Sequence, residues 1–217
     1  MLKQLPARST RAVLLDEAER LFAEKGVQGT SIRQLSKAAG VNVAAVNYYF
    51  GSKNGLVKAV LERRLRPINE ARSQRLKALL AKQKEGSPLP IREVVRAFVE
   101  PAFEQLAKDD QARHFLTFLG RAMADLDPLV WKFFAEEMKE TTLPFWKALK
   151  AALPHLSEEK LYWRFQFLLG AMVRLLAWRK SYEFLPPIFE ARPLSMIDKL
   201  EEFILFVTAG LEAEDAP

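Results

Sequence analysis

An all-α fold is what this sequence predicts, and three observations carry the prediction. Apolar residues recur every three or four positions along nearly the whole chain, and alternating runs rich in β-branched residues are missing. The prolines act as punctuation: none falls between Pro6 and Pro67, and nearly all the others stand where a periodic stretch starts, stops or bends. With 217 residues, 49% of them apolar, the chain has the material to bury a sizeable core.

A first helix is predicted over 9–25. A second opens at Thr30-Ser31, where a hydroxyl accepts from an otherwise unpaired amide of the opening turn, and it points Ile32, Leu35 and Ala39 inward. Gly40 suits the turn that follows, because a left-handed backbone carries no Cβ penalty there. A third helix begins at Asn42, another favourable cap. A long connecting helix covers 52–82, and Ser87-Pro88-Leu89-Pro90 breaks the chain before a helix over 91–108. Another spans 111–124. Asp127-Pro128 opens the next, which ends near Leu153-Pro154. Ser157-Glu158-Glu159 starts a helix reaching 181, its acids complementing the helix dipole. Pro186-Pro187 and Arg192-Pro193 bracket a loop before a final helix over 194–212. The count is about nine helices, read as a three-helix N-terminal domain over 1–55 and a helical domain over 56–217.

The second and third helices have the spacing of a helix-turn-helix that reads DNA. Val41, Val46 and Tyr49 turn back onto the second helix, leaving Asn42, Val43, Ala45, Asn47 and Tyr48 outward. Small and amide side chains fit a major groove, where amides read adenine edges and apolar groups meet thymine methyls. Hydroxyls and helix N-termini suit phosphates. Asn42, Ala44, Ala45 and Asn47 are therefore assigned to bases. Thr30, Ser31, Tyr48, Tyr49 and Lys53 are assigned to phosphates, with a core role the alternative for Tyr49.

Charge supports this placement. Residues 1–66 hold 12 Lys and Arg against 5 Asp and Glu, and the remainder holds 21 against 22, so the net +6 belongs to the first third. A basic front end is what attraction to phosphates asks for. Lys3, Arg8 and Arg11 precede or open the first helix and suit a groove- or phosphate-binding arm, or simply a solvated terminus.

The same composition excludes other classes. With no cysteine, disulfides, thiolate metal sites and thiol redox sensing are ruled out. His114 and His155 stand far apart with no second histidine at helical spacing, so no metal site is expected. No nucleophile elbow, phosphate loop or dinucleotide fingerprint is present, and neither catalysis nor a cofactor is predicted. No apolar run approaches the ~18 residues of a membrane span, and a cytoplasmic location is expected.

Ala18, Leu21-Phe22 and Gly26, then Thr30, Ile32, Leu35, Ala38, Gly40 and Val41, and finally Tyr49-Phe50-Gly51-Ser52-Lys53 with Leu56 resemble the DNA-binding domain of TetR-family transcriptional regulators. The likeness covers about the first quarter of the chain. It implies a homodimer, a palindromic double-stranded operator, and a small effector that tilts the connecting helix and releases the DNA. One departure stands out: Ala44-Ala45-Val46-Asn47 replaces the family's usual small-Thr-Leu-Tyr, so the operator sequence does not carry over.

Two helices, 161–179 and 197–211, are apolar around more of their circumference than burial on one side requires. Leu161, Phe165, Leu168 and Met172, with Leu200, Phe203, Ile204, Val207 and Leu211, are assigned to the intersubunit half of a four-helix bundle; deeper burial within one chain is the alternative. The intervening segment is rich in large apolar side chains, and Pro101 and Pro144 interrupt helical patterns there, which leaves room for a ligand. Phe103, Phe118, Met123, Phe134, Met138, Trp146, Trp163 and Phe167 are assigned to that cavity, with Arg121 and Arg174 for an anionic group. Leu161 to Ala171 and Val41 to Lys53 are similar to TetR repressors that sense long-chain fatty acids or acyl-CoA esters, which implies an amphipathic acyl effector. Cationic or aromatic drugs form the competing ligand class, and a ligand-independent DNA-organising protein is the remaining alternative.

Overall fold

The computed structural model describes residues 9–84, 87–106, 111–177 and 194–214. Among these, every regular element is α-helical: α1 (Thr10–Lys25), α2 (Ile32–Ala38), α3 (Val43–Phe50), α4 (Lys53–Lys82), α5 (Ile91–Leu106), α6 (Ala112–Ala124), α7 (Pro128–Ala152), α8 (Glu158–Ala177) and α9 (Met196–Glu212). The all-α fold and its nine helices follow the sequence reading. The expected arm residues Lys3 and Arg8, the helix ends at 107–108 and 178–181, and the loop 186–193 lie outside the described residues.

Helix starts are set by side chains that satisfy otherwise orphaned amides. Ser9 accepts from the Ala12 amide, Asn42 from Ala44, and Ser52 from Gly55. Asp127 Oδ1 accepts from both Leu129 and Val130, with Pro128 at the first helical position, where a missing N–H costs nothing. Ser157 accepts from Lys160, and Ser195 pairs with Asp198 in a reciprocal capping box.

The chain divides into two compact units. The first comprises residues 1–66 with 111–137, the second 67–110 with 138–217. This differs from a boundary at residue 55 in two ways. α4 contributes to the first unit as far as Arg66, and α6 belongs to it because α6 packs along α1. Phe118 of α6 lies 5.4 Å from the Phe22 ring, both fully buried. A short helical trio has little interior of its own, so a fourth helix completes its core.

In the second unit α5 packs on α8 and α9, and α8 on α9. Its interior is aromatic: Phe98 meets Phe145 at 5.1 Å and Phe165 at 5.4 Å, and Phe103 meets Phe203 at 6.2 Å. Arg96 grips Glu201 with two bonds of 2.6 and 2.7 Å, which ties α5 to α9 and holds the Glu201 carboxyl below its usual pKa.

Candidate functional site

Within the first unit, α2 and α3 meet at a tight turn around Gly40, whose φ of +66° is in the left-handed region. A Cβ there would touch nothing within 4 Å, so glycine is required by the backbone and not by crowding. Val46 is the buried anchor of α3, and Leu35 and Ser36 those of α2. Asn42, Val43, Ala44, Asn47 and Tyr48 are exposed to solvent, Ala44 and Tyr48 on the side of α3 opposite Val46, with Ala45 half-buried. Tyr48 is 84% exposed and packs edge-on against Tyr49, ring centres 5.1 Å apart. Such a surface has small residues and one amide at its centre and phenols at its C-terminal end, which fits base edges in a groove flanked by phosphates.

Two of the DNA-contact assignments need correction. Thr30 is 3% exposed, and its hydroxyl lies 2.9 Å from the Gly26 carbonyl and 3.3 Å from that of Leu21. It staples the α1–α2 connection and offers nothing to a phosphate. Asn42 is exposed, but its Oδ1 is taken by the Ala44 amide at 2.9 Å. Reading adenine needs both ends of the amide, so Asn42 is a cap first, with only its NH2 left for DNA. Ser31 also caps: its Oγ accepts from Gln34 N while Gln34 Oε1 accepts from Ser31 N, and its O–H remains a donor. Lys53 stands half-buried at the first position of α4. Sequence reasoning passed over Arg33 and Lys37, exposed cations four residues apart on α2; that spacing was the signal that they share one face.

The proposed cavity residues do not form one set. Phe118, Arg121, Met123 and Phe134 belong to the first unit, and the others to the second. Phe118 is core. Arg121 is exposed and serves the end of α1, donating to the Glu24 carbonyl at 3.2 Å and pairing with Asp125 at 3.4 Å. A guanidinium near the last carbonyls of a helix is held there by their partial negative charge. Met123 and Phe134 are half-buried, the latter against Trp131. In the second unit Phe103 and Met138 are buried and Trp146 is half-buried against Phe165, whereas Arg174 is exposed. Trp163 and Phe167 are 53% and 67% exposed and line an open surface pocket with Lys160, Arg164 and Glu214, apart from the buried Phe103 and Met138.

The intersubunit assignment is also corrected. Leu161, Phe165, Leu168, Met172, Leu200, Phe203, Ile204, Val207 and Leu211 are all buried within their own chain. They form the seam between α8, α9 and α5, so they have nothing left to offer a partner. The exposed apolar face lies on the other side of these helices and carries Trp163, Phe167, Leu205 and Phe206, with Phe206 74% exposed. Among the described residues no helix is long and apolar enough to cross a membrane.

Known proteins place this architecture. Residues 96–210 match the tetracyclin repressor-like C-terminal domain, and residues 14–60 match the bacterial regulatory proteins of the tetR family. The chain belongs to the TetR family of transcriptional regulators. It is 46% identical over 50 residues, 23% of its length, to a probable regulator, YttP, of Bacillus subtilis. It is 41% identical over 56 residues, 26% of its length, to the regulator AcrR of Shigella flexneri. These matches span only 24% and 26% of the relatives' lengths. The fold is similar to that of the TetR-family regulator PfmR from Thermus thermophilus, with a TM-score of 0.60 over 92% of this chain and 99% of that one, at 22% identity.

Proposed function

We propose that the protein is a homodimeric, effector-responsive repressor that binds a palindromic operator in double-stranded DNA. The observation that carries the proposal is the outward face of α3, where Ala44, Asn47 and Tyr48 stand exposed on a helix anchored from behind by the fully buried Val46. Dimerisation through the exposed aromatic side of α8 and α9 brings two such helices to one duplex, with half-sites about 34–36 Å apart. In this reading Ala44, Ala45 and Asn47 touch bases, and Ser31, Arg33, Lys37, Tyr48, Tyr49 and Lys53 hold phosphates. Asn42 contributes through its NH2 alone.

Release follows from an amphipathic apolar effector, a fatty acyl-CoA being one example, bound in the second unit. α4 is the element suited to respond, since this single helix carries Arg63 and Arg64 in the first unit and Arg72 in the second. Effector and operator then favour different arrangements and oppose each other's binding.

The test is selection of bound genomic fragments followed by protection footprinting with ligand-free protein. A protected palindrome whose affinity falls steeply with salt is expected. A folded, dimeric protein that protects no fragment overturns the reading.

A further inference from the structure

Arg72, at the middle of α4, is 2% exposed within the second unit. Its Nε donates to the Phe98 carbonyl at 2.7 Å, and a terminal nitrogen reaches Asn69 Oδ1 at 3.2 Å. Its other neighbours are soft: the sulfurs of Met138 and Met172, each at 3.9 Å, and the Phe98 ring, 3.9 Å from Cζ. No carboxylate among the described residues pairs with it, and burial alone pushes its pKa down, to about 9.

A guanidinium sealed in an apolar interior without a counter-charge is costly, and an aliphatic side chain of similar length would serve the fold at least as well. The same dry surroundings make it a strong anion receptor, because its field is little screened. An apolar lining surrounds it. Phe98 stacks edge-on with Phe145 and Phe165, and the two methionines are unbranched and repack easily. The Phe98 carbonyl lies in a turn loosened by Pro101, which supplies no amide to the Ala97 carbonyl.

We propose that Arg72 anchors the anionic head of an apolar effector, which completes the missing ion pair while its hydrocarbon part displaces Met138 and Met172 along Phe98, Phe145 and Phe165. This rests on the reading that the second unit takes an effector. It adds the sign of the head group and the residue that holds it, and it sets aside neutral and cationic ligands.

The experiment compares dodecanoate, dodecanoyl-coenzyme A, 1-dodecanol and dodecyltrimethylammonium by calorimetry and thermal shift on the full chain, as wild type, Arg72→Met and Arg72→Lys. At least one anionic probe binds the wild type and raises its Tm, about tenfold or more tighter than the neutral and cationic probes. The better anion tells whether a carboxylate or a phosphate-bearing head is preferred. Arg72→Met folds with an equal or higher Tm, loses about ten- to a hundredfold in anion affinity, and keeps its weak affinity for dodecanol. Arg72→Lys retains part of the preference and tests the inference even if the Met variant does not fold. Unchanged anion binding in either variant, or dodecanol binding the wild type as tightly as the anions, overturns the anchor but leaves an effector site standing. A wild type that holds its operator yet binds none of the four probes removes both the anchor and the acyl effector.

Discussion

Glu19 of α1, 1% exposed, takes two hydrogen bonds from Arg64 of α4, at 2.8 Å from Nε and 2.7 Å from Nη2. Arg63 adds a third at 3.1 Å and reaches Asp16 at 2.7 Å. One sealed carboxylate thus locks the first turns of α4 onto the helix that supports the reading head. Replacing Glu19 by Ala removes the carboxylate that two largely buried arginines share, and should cost about 2–4 kcal/mol in urea unfolding. A loss below 0.5 kcal/mol would mean that the arginines simply turn to solvent.

Corrections at the reading head separate stability from recognition. Thr30→Val should lower stability by about 1–2 kcal/mol through the two carbonyls it leaves behind, with no change in the salt slope of operator binding. Tyr48→Ala and Lys53→Ala should leave stability nearly intact and weaken binding to all sequences, Lys53→Ala reducing the salt slope by about one. Asn47→Ala should relax discrimination at one base pair by about 1–3 kcal/mol. Competition binding against randomised operators distinguishes these outcomes.

Asn42 offers a finer test. Asn42→Ser keeps a capping oxygen and should preserve Tm, whereas Asn42→Ala should cost about 1 kcal/mol. If operator affinity follows Tm across the two variants, Asn42 acts through the helix start; a Ser variant that is stable yet blind to one base pair would assign its NH2 to DNA.

For assembly, Phe167→Glu and Phe206→Glu should shift sedimentation from dimer toward monomer, because each places a charge on the exposed aromatic face. Leu161→Ala should act otherwise and cost about 2–5 kcal/mol of folding stability through a cavity in the chain's own core. A dimer unaffected by both glutamates would move the interface off this face.

Arg72 carries a pH signature. Burial pushes its pKa down to about 9 in the fold, well below its ordinary value, so above pH 9 the unfolded chain still binds a proton that the folded chain has lost, and stability from this group rises with pH there. At neutral pH the full penalty of the buried charge is present. The Tm advantage expected of Arg72→Met should therefore be constant below pH 8 and shrink as pH climbs through 9, as read in parallel melts of the two proteins. An advantage that does not change up to pH 10.5 would contradict this origin.

Helix existence and most helix starts were legible because they depend on neighbours in sequence. Ser9, Asn42, Asp127-Pro128 and Ser157 announce their caps locally, and Gly40 announces its turn. Which face of a helix points inward was harder where the helix is apolar all round. On α8 the row Leu161, Phe165, Leu168, Met172 and the row Trp163, Phe167 both satisfy helical spacing, and only packing against α5 and α9 decides that the first is core. Arg72 gave no sign at all, since it sits between Asn69, Glu70 and Ser73 in a stretch that reads as solvated. Its burial comes from Phe98, Met138 and Met172, which lie 26 to 100 residues away.

The partnership of Phe22 with Phe118 has a practical corollary for anyone building chimaeric sensors. The helix-turn-helix unit is not a transplantable N-terminal cassette: a graft that stops at residue 66 leaves a greasy notch along α1 that its new host must fill. Carrying α6 along, or redesigning Phe22 and its neighbours on α1 for water, is the precondition for swapping specificities between such proteins.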